Sequence, residues 1–139
     1  MAYYQKETLE DVKTFFEIEA SQENDWITTR WIGFQKMERS RAGLEKELDV
    51  LKATGRRKIL NYNTEIKGPY PPGIEKWIAE EWQPEAARLG LKYAATIISS
   101  NIFASLSAEQ LETVFEGITY KNFEDEAAAI RWLKDVQAE

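Results

Sequence analysis

The order of strand-like and helix-like segments limits this chain to a small set of folds. Residues 12–20 and 26–32 are rich in β-branched and aromatic side chains and lie close together, which predicts an antiparallel hairpin. Residues 37–53 then carry apolar side chains at helical spacing, and Gly55 follows as a residue typical of helix C-termini. The chain has 139 residues, so a single domain over residues 1–139 is expected.

The remainder of the chain alternates between the two periodicities. Strands are expected at residues 58–63, 93–98 and 119–123, and helices are expected to begin near Ile74, Ser107 and Asp125. Pro84 lies inside the first of these helices and is expected to kink or split it. The resulting order, ββαβαβαβα, predicts an α/β fold in which about four helices pack on a mixed sheet with an N-terminal antiparallel hairpin.

Composition excludes many chemistries. The chain has no His and no Cys, which removes disulfides, imidazole or thiolate metal sites and Cys nucleophiles. Its formal net charge of −6 argues against nucleic acid as a partner. No apolar run approaches the roughly 20 residues that span a bilayer, and the N-terminus lacks a signal-peptide layout. We therefore expect a cytoplasmic, non-enzymatic protein without a cofactor or membrane span.

The charged clusters have ordinary structural interpretations. Glu80 and Glu81 are sequential neighbours on a helix and point in different directions, so they make a poor acid–base pair. Residues 124–126 precede a predicted helix, where negative charge suits the helix dipole. The basic run at residues 56–58 follows a predicted helix C-terminus, where cations are favourable. No phosphate-binding or nucleophile-elbow motif is present.

The candidate ligand or partner surface lies in the loops where predicted strands end. Ligands of open α/β sheets bind beside the carboxyl ends of the strands, near helix N-termini. The alternative interpretation is turn chemistry, because Asn, Ser and Thr side chains bond their own backbone in loops. The candidate residues are Asn61, Asn63, Thr64, Glu65, Tyr70, Ser99, Ser100 and Asn101.

The Trp residues suggest both core positions and a partner surface. Trp77 and Trp82 share the apolar stripe of one predicted helix, which indicates core packing. Trp26 and Trp31 have opposite parity on one predicted strand and so face opposite sides of the sheet. One of these two is expected to be exposed and to mark a partner surface.

Several segments resemble a known family. These are the Pro84-containing helix over residues 74–92, the strand end at residues 31–34 and the strand-to-helix segment at residues 123–133. Together they resemble, over roughly residues 12–134, a bacterial group of SpoIIAA-like, or STAS/SEC14-like, small domains. The resemblance implies the α/β fold of anti-sigma-factor antagonists.

The resemblance also implies two kinds of function. Characterised relatives bind a protein partner and are switched by phosphorylation of a Ser or Thr at a loop-to-helix junction. Here that junction, residues 68–73, contains neither residue type, so the switch does not carry over. One hypothesis is therefore a regulatory or protein-interaction domain acting with a protein partner or as a homodimer. The alternative is a small-molecule or lipid-binding module with an apolar pocket between sheet and helices, and an enzyme using carboxylates, Lys or Tyr is a third.

Overall fold

The centre of the molecule is a six-stranded sheet whose strands lie side by side in sequence order. The computed structural model describes residues 2–98, 107, 109–112 and 115–136. β1, β2 and β3 pair antiparallel, and β3 to β6 are parallel, which is the predicted mixed sheet. The strands are β1 (Tyr4–Glu10), β2 (Thr14–Ala20), β3 (Ile27–Phe34), β4 (Lys58–Lys67), β5 (Tyr93–Ile97) and β6 (Thr119–Phe123).

The helices lie between the parallel strands and after the last one. α1 is Met37–Thr54, α2 is Ile74–Trp77, α3 is Gln83–Arg88 and α4 is Glu126–Asp135. Residues 107 and 109–111 are also helical. A π-helical segment, Ile78–Trp82, joins α2 to α3, and Pro84 is the second residue of α3. The wider π turn accommodates the Pro ring and its missing N–H, so the irregularity expected at Pro84 is this segment.

β1 is an additional strand that the sequence did not predict. Its residues, Tyr-Gln-Lys-Glu-Thr-Leu-Glu, are mostly polar and contain one β-branched side chain. The strand forms because it pairs with β2 at the edge of the sheet. Charged side chains are common on edge strands, where they discourage pairing with other molecules. The predicted hairpin is therefore the β2–β3 pair, inside a longer antiparallel region.

The sheet has a core on each of its two faces. α1, α2, the π-helical segment and α3 cover one face, whose core includes Ile27, Trp31 and Ile59. α4 covers β4 to β6 on the other face, where Trp26 packs. The predicted opposite orientation of Trp26 and Trp31 is confirmed. The expectation that one of them is exposed was wrong, because each is only 6% exposed. Within the described residues, no helix combines the length and apolar character needed to cross a bilayer.

α1 approaches the sheet closely because residue 43 has no side chain. A β-carbon at Gly43 would overlap the ring of Trp31 and come within 3.1 Å of Phe16 Cδ1. The helix ends as predicted at Gly55, which has a φ of 69° and donates its N–H to the Leu51 carbonyl at 2.9 Å. Gly43 therefore fixes the height of α1 above β2 and β3.

Arg56, just after α1, connects distant parts of the chain. Its guanidinium is buried and donates to the backbone carbonyls of Ala2 and Asn24 at 3.0 Å, Trp26 at 2.9 Å and Ser21 at 2.5 Å. The interpretation of the basic run as surface cations at a helix end is incomplete. Arg56 instead holds the β2–β3 loop and the N-terminus against the start of β4.

Candidate functional site

A cavity of about 70 Å³ lies on the face of the sheet that α1, α2, the π-helical segment and α3 cover, between the strands and these helices. α1 contributes its inward face, and β3 to β6 form the floor. The walls are mostly aliphatic and aromatic, which is the usual character of small-molecule sites. Residues from several elements line it, among them Trp31, Ile59, Ile78, Trp82, Leu111 and Phe115.

Glu47 places a carboxyl group in this cavity from the inward face of α1. Its side chain is 1% exposed, and its Oε2 accepts no hydrogen bond from any residue that the structure describes. Burial without a cationic partner raises the pKa of Glu47 from its ordinary value of 4.5 to about 8. The carboxyl group is therefore mainly protonated at neutral pH.

A row of polar side chains crosses the floor of the cavity. Thr29 on β3 donates to Asn61 Oδ1, and Asn61 Nδ2 donates to Thr96 Oγ1 on β5 at 3.3 Å. Thr96 also hydrogen-bonds to Tyr120 on β6, and burial raises the pKa of Tyr120 well above its ordinary value. Since Thr29 and Thr96 are fully buried, this network satisfies their hydroxyl groups inside the core.

Asn63 and Tyr70 form a second polar pair beside the cavity. Asn63 Nδ2 donates to the Tyr70 hydroxyl at 2.5 Å, while Asn63 Oδ1 accepts no hydrogen bond from the part of the chain that the structure describes. The Tyr70 amide donates to Ser107 Oγ at 3.3 Å, which holds the Pro-rich loop against the helical residue 107. Burial raises the pKa of the Tyr70 hydroxyl, so it stays neutral at physiological pH.

A β-bulge in β4 determines which polar residues reach the cavity. Tyr62 and Glu65 pair with Arg30 and Ile32, so two residues of β4 stand opposite one residue of β3. After the bulge, Ile66 faces the cavity, whereas Glu65 lies on the opposite face with its carboxylate 3.6 Å from Arg30 Nη1. Simple alternation would have placed Glu65 on the same face as Asn63.

The structure places the predicted site residues in three different surroundings. Asn61, Asn63 and Tyr70 line the cavity together, whereas Thr64 and Glu65 are exposed. The first four of the predicted residues lie within β4 rather than in a loop after it, because the strand continues to Lys67. The remaining three, Ser99, Ser100 and Asn101, lie outside the described residues.

Sequence reasoning missed Glu47, although a signal was present. The helical pattern of residues 37–53 predicted an amphipathic helix with a charged outer face and did not single out Glu47. Glu47 follows Leu44 by three residues and precedes Leu51 by four, which puts it on the apolar stripe. A charged residue inside such a stripe indicates either a buried partner or a functional position.

The other carboxylate clusters remain at the surface. Glu80, Glu81 and residues 124–126 are exposed. Asp125 accepts a hydrogen bond from the Ala128 amide at 3.1 Å, so it caps α4 as predicted. Among the described residues, no group of three or more Asp and Glu side chains is arranged to hold a metal ion.

The comparisons with known proteins concern the fold. No family model matches the chain, and no curated protein is significantly similar to it in sequence. A similar solved structure is that of an uncharacterised protein of the DUF3478 family from Shewanella loihica PV-4. The structural alignment covers 96% of this chain and 98% of the chain of that protein, with a TM-score of 0.50 and 19% sequence identity. That protein has a SpoIIAA-like fold.

This chain has a SpoIIAA-like fold as well. The six-stranded mixed sheet, with its antiparallel strands at the N-terminal side, agrees with that assignment. The fold implied by the resemblance of the sequence segments is therefore confirmed. The cavity lies on the side of this SpoIIAA-like sheet that α1 to α3 cover.

Proposed function

We propose that this protein is a non-enzymatic binding module that holds a small, mostly apolar molecule in the cavity between its sheet and helices. The observation that carries the proposal is the buried Glu47 oxygen, which has no hydrogen-bond partner among the described residues. Leaving a buried polar group unsatisfied costs about 1–3 kcal/mol of folding free energy. Such a cost is retained where the group serves a ligand.

The character of the cavity supports binding rather than catalysis. Its lining is mainly apolar, and two of its polar lining residues, Asn61 and Tyr120, are engaged in a hydrogen-bond network that crosses four strands. A few placed polar groups within an apolar wall are typical of small-molecule sites. The chain has no His or Cys to act as a general base or nucleophile near neutral pH.

NMR titration of the full chain with xenon and with 1-propanol tests this proposal, because both probes enter small cavities regardless of their natural ligand. We expect saturable shifts of the Ile59, Ala94 and Leu111 methyl signals. Ala94→Leu, which fills the cavity, is expected to abolish those shifts. Ala95→Leu adds the same volume on the opposite face of β5 and serves as the control. Unchanged methyl signals with both probes would refute the binding function.

We also propose a protein-interaction role for one end of the sheet. Val12, in the β1–β2 turn, and Phe34, at the end of β3, are 90% and 64% exposed. Arg39 holds the two together, because its Nε lies 2.7 Å from the Asp11 carboxylate and its Nη1 donates to the Phe34 carbonyl at 3.0 Å. A fixed pair of exposed apolar side chains suits a protein partner, with a second copy of the chain as the first candidate.

Sedimentation velocity over a range of concentrations tests this second role. We expect self-association of the wild type and its loss in Phe34→Ser. Tyr3→Ser is the matched control, since Tyr3 is 59% exposed and precedes β1, away from the Val12 turn. A wild type that sediments as a monomer at every concentration would contradict association with a second copy.

A further inference from the structure

The unpartnered polar atoms in the cavity can serve as hydrogen-bond acceptors, Asn63 Oδ1 at any pH and Glu47 Oε2 when its carboxyl group is ionised. Two buried oxygens of its lining residues, Glu47 Oε2 and Asn63 Oδ1, accept no hydrogen bond from the residues with described positions. The described lining contains no Lys or Arg, and the sequence contains no His. The complementary group is therefore a donor, and a positive charge on it would meet a carboxyl group and no competing cation.

Aromatic rings form much of the cavity wall. Phe115 and Tyr120 stack with their centroids 4.5 Å apart, and Trp82 meets Phe115 edge-on at 6.3 Å. The Trp82 N–H already donates to the Leu44 carbonyl at 2.7 Å, so the indole offers the cavity only its ring. Aromatic faces attract cations through their quadrupole, most strongly where water is excluded. Within the described part of the chain, five aromatic residues line the cavity, namely Trp31, Tyr70, Trp82, Phe115 and Tyr120.

We infer that the cavity binds a small organic ammonium ion, which donates hydrogen bonds to Glu47 and Asn63 and lies against the aromatic rings. The inference rests on the proposed binding function and adds the chemical class of the bound molecule. A primary ammonium group has three donors and no acceptor, so it suits two unpartnered oxygens. An anion such as a carboxylate has no donor for either oxygen and would meet a like charge once Glu47 ionises, and an alcohol has only one donor.

The size of the cavity limits the apolar part of this ion. Its volume of about 70 Å³ is smaller than the roughly 150 Å³ of an engineered apolar cavity that binds benzene. A chain of two to four carbons, on the order of this volume, is therefore the expected alkyl group. n-Propylammonium is a suitable probe, with 1-propanol and propionate as its neutral and anionic counterparts.

Binding is expected to release a proton. Glu47 is mainly protonated below pH 8, so pairing with an ammonium ion requires its carboxyl group to ionise. The affinity for the ammonium ion should therefore rise with pH by up to about tenfold per unit until Glu47 is ionised. Among the described lining residues, the other titratable groups are Tyr70, before α2, and Tyr120, on β6, and the pKa of each is raised by burial. Glu112 interacts with Tyr120 from the segment before β6.

Isothermal titration calorimetry of the full chain at pH 6, 7 and 8, at constant ionic strength, tests the inference. We expect n-propylammonium to bind more tightly at pH 8 than at pH 6, with proton release that depends on the buffer. At pH 8, 1-propanol should bind at least about tenfold more weakly than n-propylammonium, because it forms no charge-assisted hydrogen bond. Propionate should not bind.

Two variants of α1 distinguish the effect of the Glu47 carboxyl group from the effect of other charges on the helix. Glu47→Gln is expected to weaken n-propylammonium binding at pH 8 by about tenfold or more and to remove its pH dependence. Glu45→Gln removes an exposed charge two residues away and should leave both unchanged. The pH dependence of the wild type keeps the test valid if Glu47→Gln is poorly folded.

The possible failures are distinguishable. If 1-propanol binds as tightly as n-propylammonium at every pH, the cavity binds small molecules but the ammonium inference is wrong. An unchanged n-propylammonium affinity in folded Glu47→Gln overturns it as well. If neither probe produces heat or methyl shifts, so that only water enters the cavity, both the inference and the binding function fail.

Discussion

Arg56 and Glu47 both have buried ionisable side chains, but their hydrogen-bond partners differ. Each side chain is 1% exposed, and burial shifts both pKa values toward the neutral form, down for Arg56 and up for Glu47. The Arg56 guanidinium donates to four backbone carbonyls, whereas Glu47 Oε2 has no partner within the described residues. Its complete set of hydrogen bonds gives Arg56 a structural role, and the unpartnered oxygen of Glu47 is the basis of the proposed binding site.

The two residues also have opposite relations to the rest of the fold. Arg56 binds backbone groups of the N-terminus and the β2–β3 loop, so removing its side chain leaves several acceptors unsatisfied at once. Removing the Glu47 charge leaves no partner unsatisfied among the described residues. Burial alone therefore does not show which ionisable residue the fold needs for its stability. The hydrogen-bond partners of each residue show it.

The largest expected effect is on Arg56. Arg56→Met keeps a similar aliphatic length but leaves four backbone carbonyls, that of Trp26 among them buried, without their donor, so the free energy of unfolding should fall by about 4 kcal/mol. Urea denaturation followed by circular dichroism measures the change. Arg57→Met is the matched control, because Arg57 is exposed, and it should change stability by about 0.5 kcal/mol or less. Equal effects of the two variants would remove the distinction between Arg56 and its neighbour.

The second effect is the pH dependence that Glu47 confers on stability. Above its ordinary pKa of 4.5 the unfolded chain releases the Glu47 proton, while the folded chain holds it up to about pH 8. The folded state therefore binds more protons, and stability should fall as pH rises between these values, by about 2.5 kcal/mol from pH 5 to 7.

Urea denaturation of the wild type and of Glu47→Gln at pH 5, 6 and 7 isolates this contribution. The difference between the two proteins should change with pH, because Gln does not titrate. Tyr70 and Tyr120 do not interfere, since their pKa values are raised above the ordinary value of 10. Parallel pH profiles would show that Glu47 is not the buried acid described above.

The third effect tests how closely α1 lies above the sheet. Gly43→Ala introduces a methyl group where the Trp31 ring lies, and the overlap should cost about 2 kcal/mol of stability. In a double-mutant cycle with Trp31→Phe, the smaller ring should relieve part of this cost, so the two changes should be less than additive. Strict additivity, measured by urea denaturation, would indicate that α1 shifts rather than contacts Trp31.

The smallest effect concerns the hydroxyl group beside Arg56. Thr54 Oγ1 donates to the Val50 carbonyl at 2.7 Å and accepts the Arg56 amide at 3.2 Å. Thr54→Val keeps the shape and removes both bonds, so stability should fall by about 1 kcal/mol. Thr54→Ser retains the hydroxyl group and should lose less in thermal denaturation. A larger loss in Thr54→Ser would assign the effect to the methyl group instead.

The sequence by itself determined the types and order of most elements. Period-2 and helical patterns identified β2 to β6, α1 and α4, because these patterns report one buried face and need no knowledge of what covers it. The local signals at Gly55, Pro84 and Asp125 also held, since capping and Pro geometry depend on neighbouring backbone. The polar strand β1 was missed because pairing with β2 outweighs its propensity.

Only the tertiary structure decided which residues line the cavity and what role Arg56 has. The bulge in β4 moves Glu65 to the opposite face, and its position depends on the pairing with β3. The carbonyls that bind Arg56 lie 30 to 54 residues away in sequence. Glu47 is buried because α1 packs closely on the sheet at Gly43. Each of these facts depends on contacts between distant segments, which local patterns do not encode.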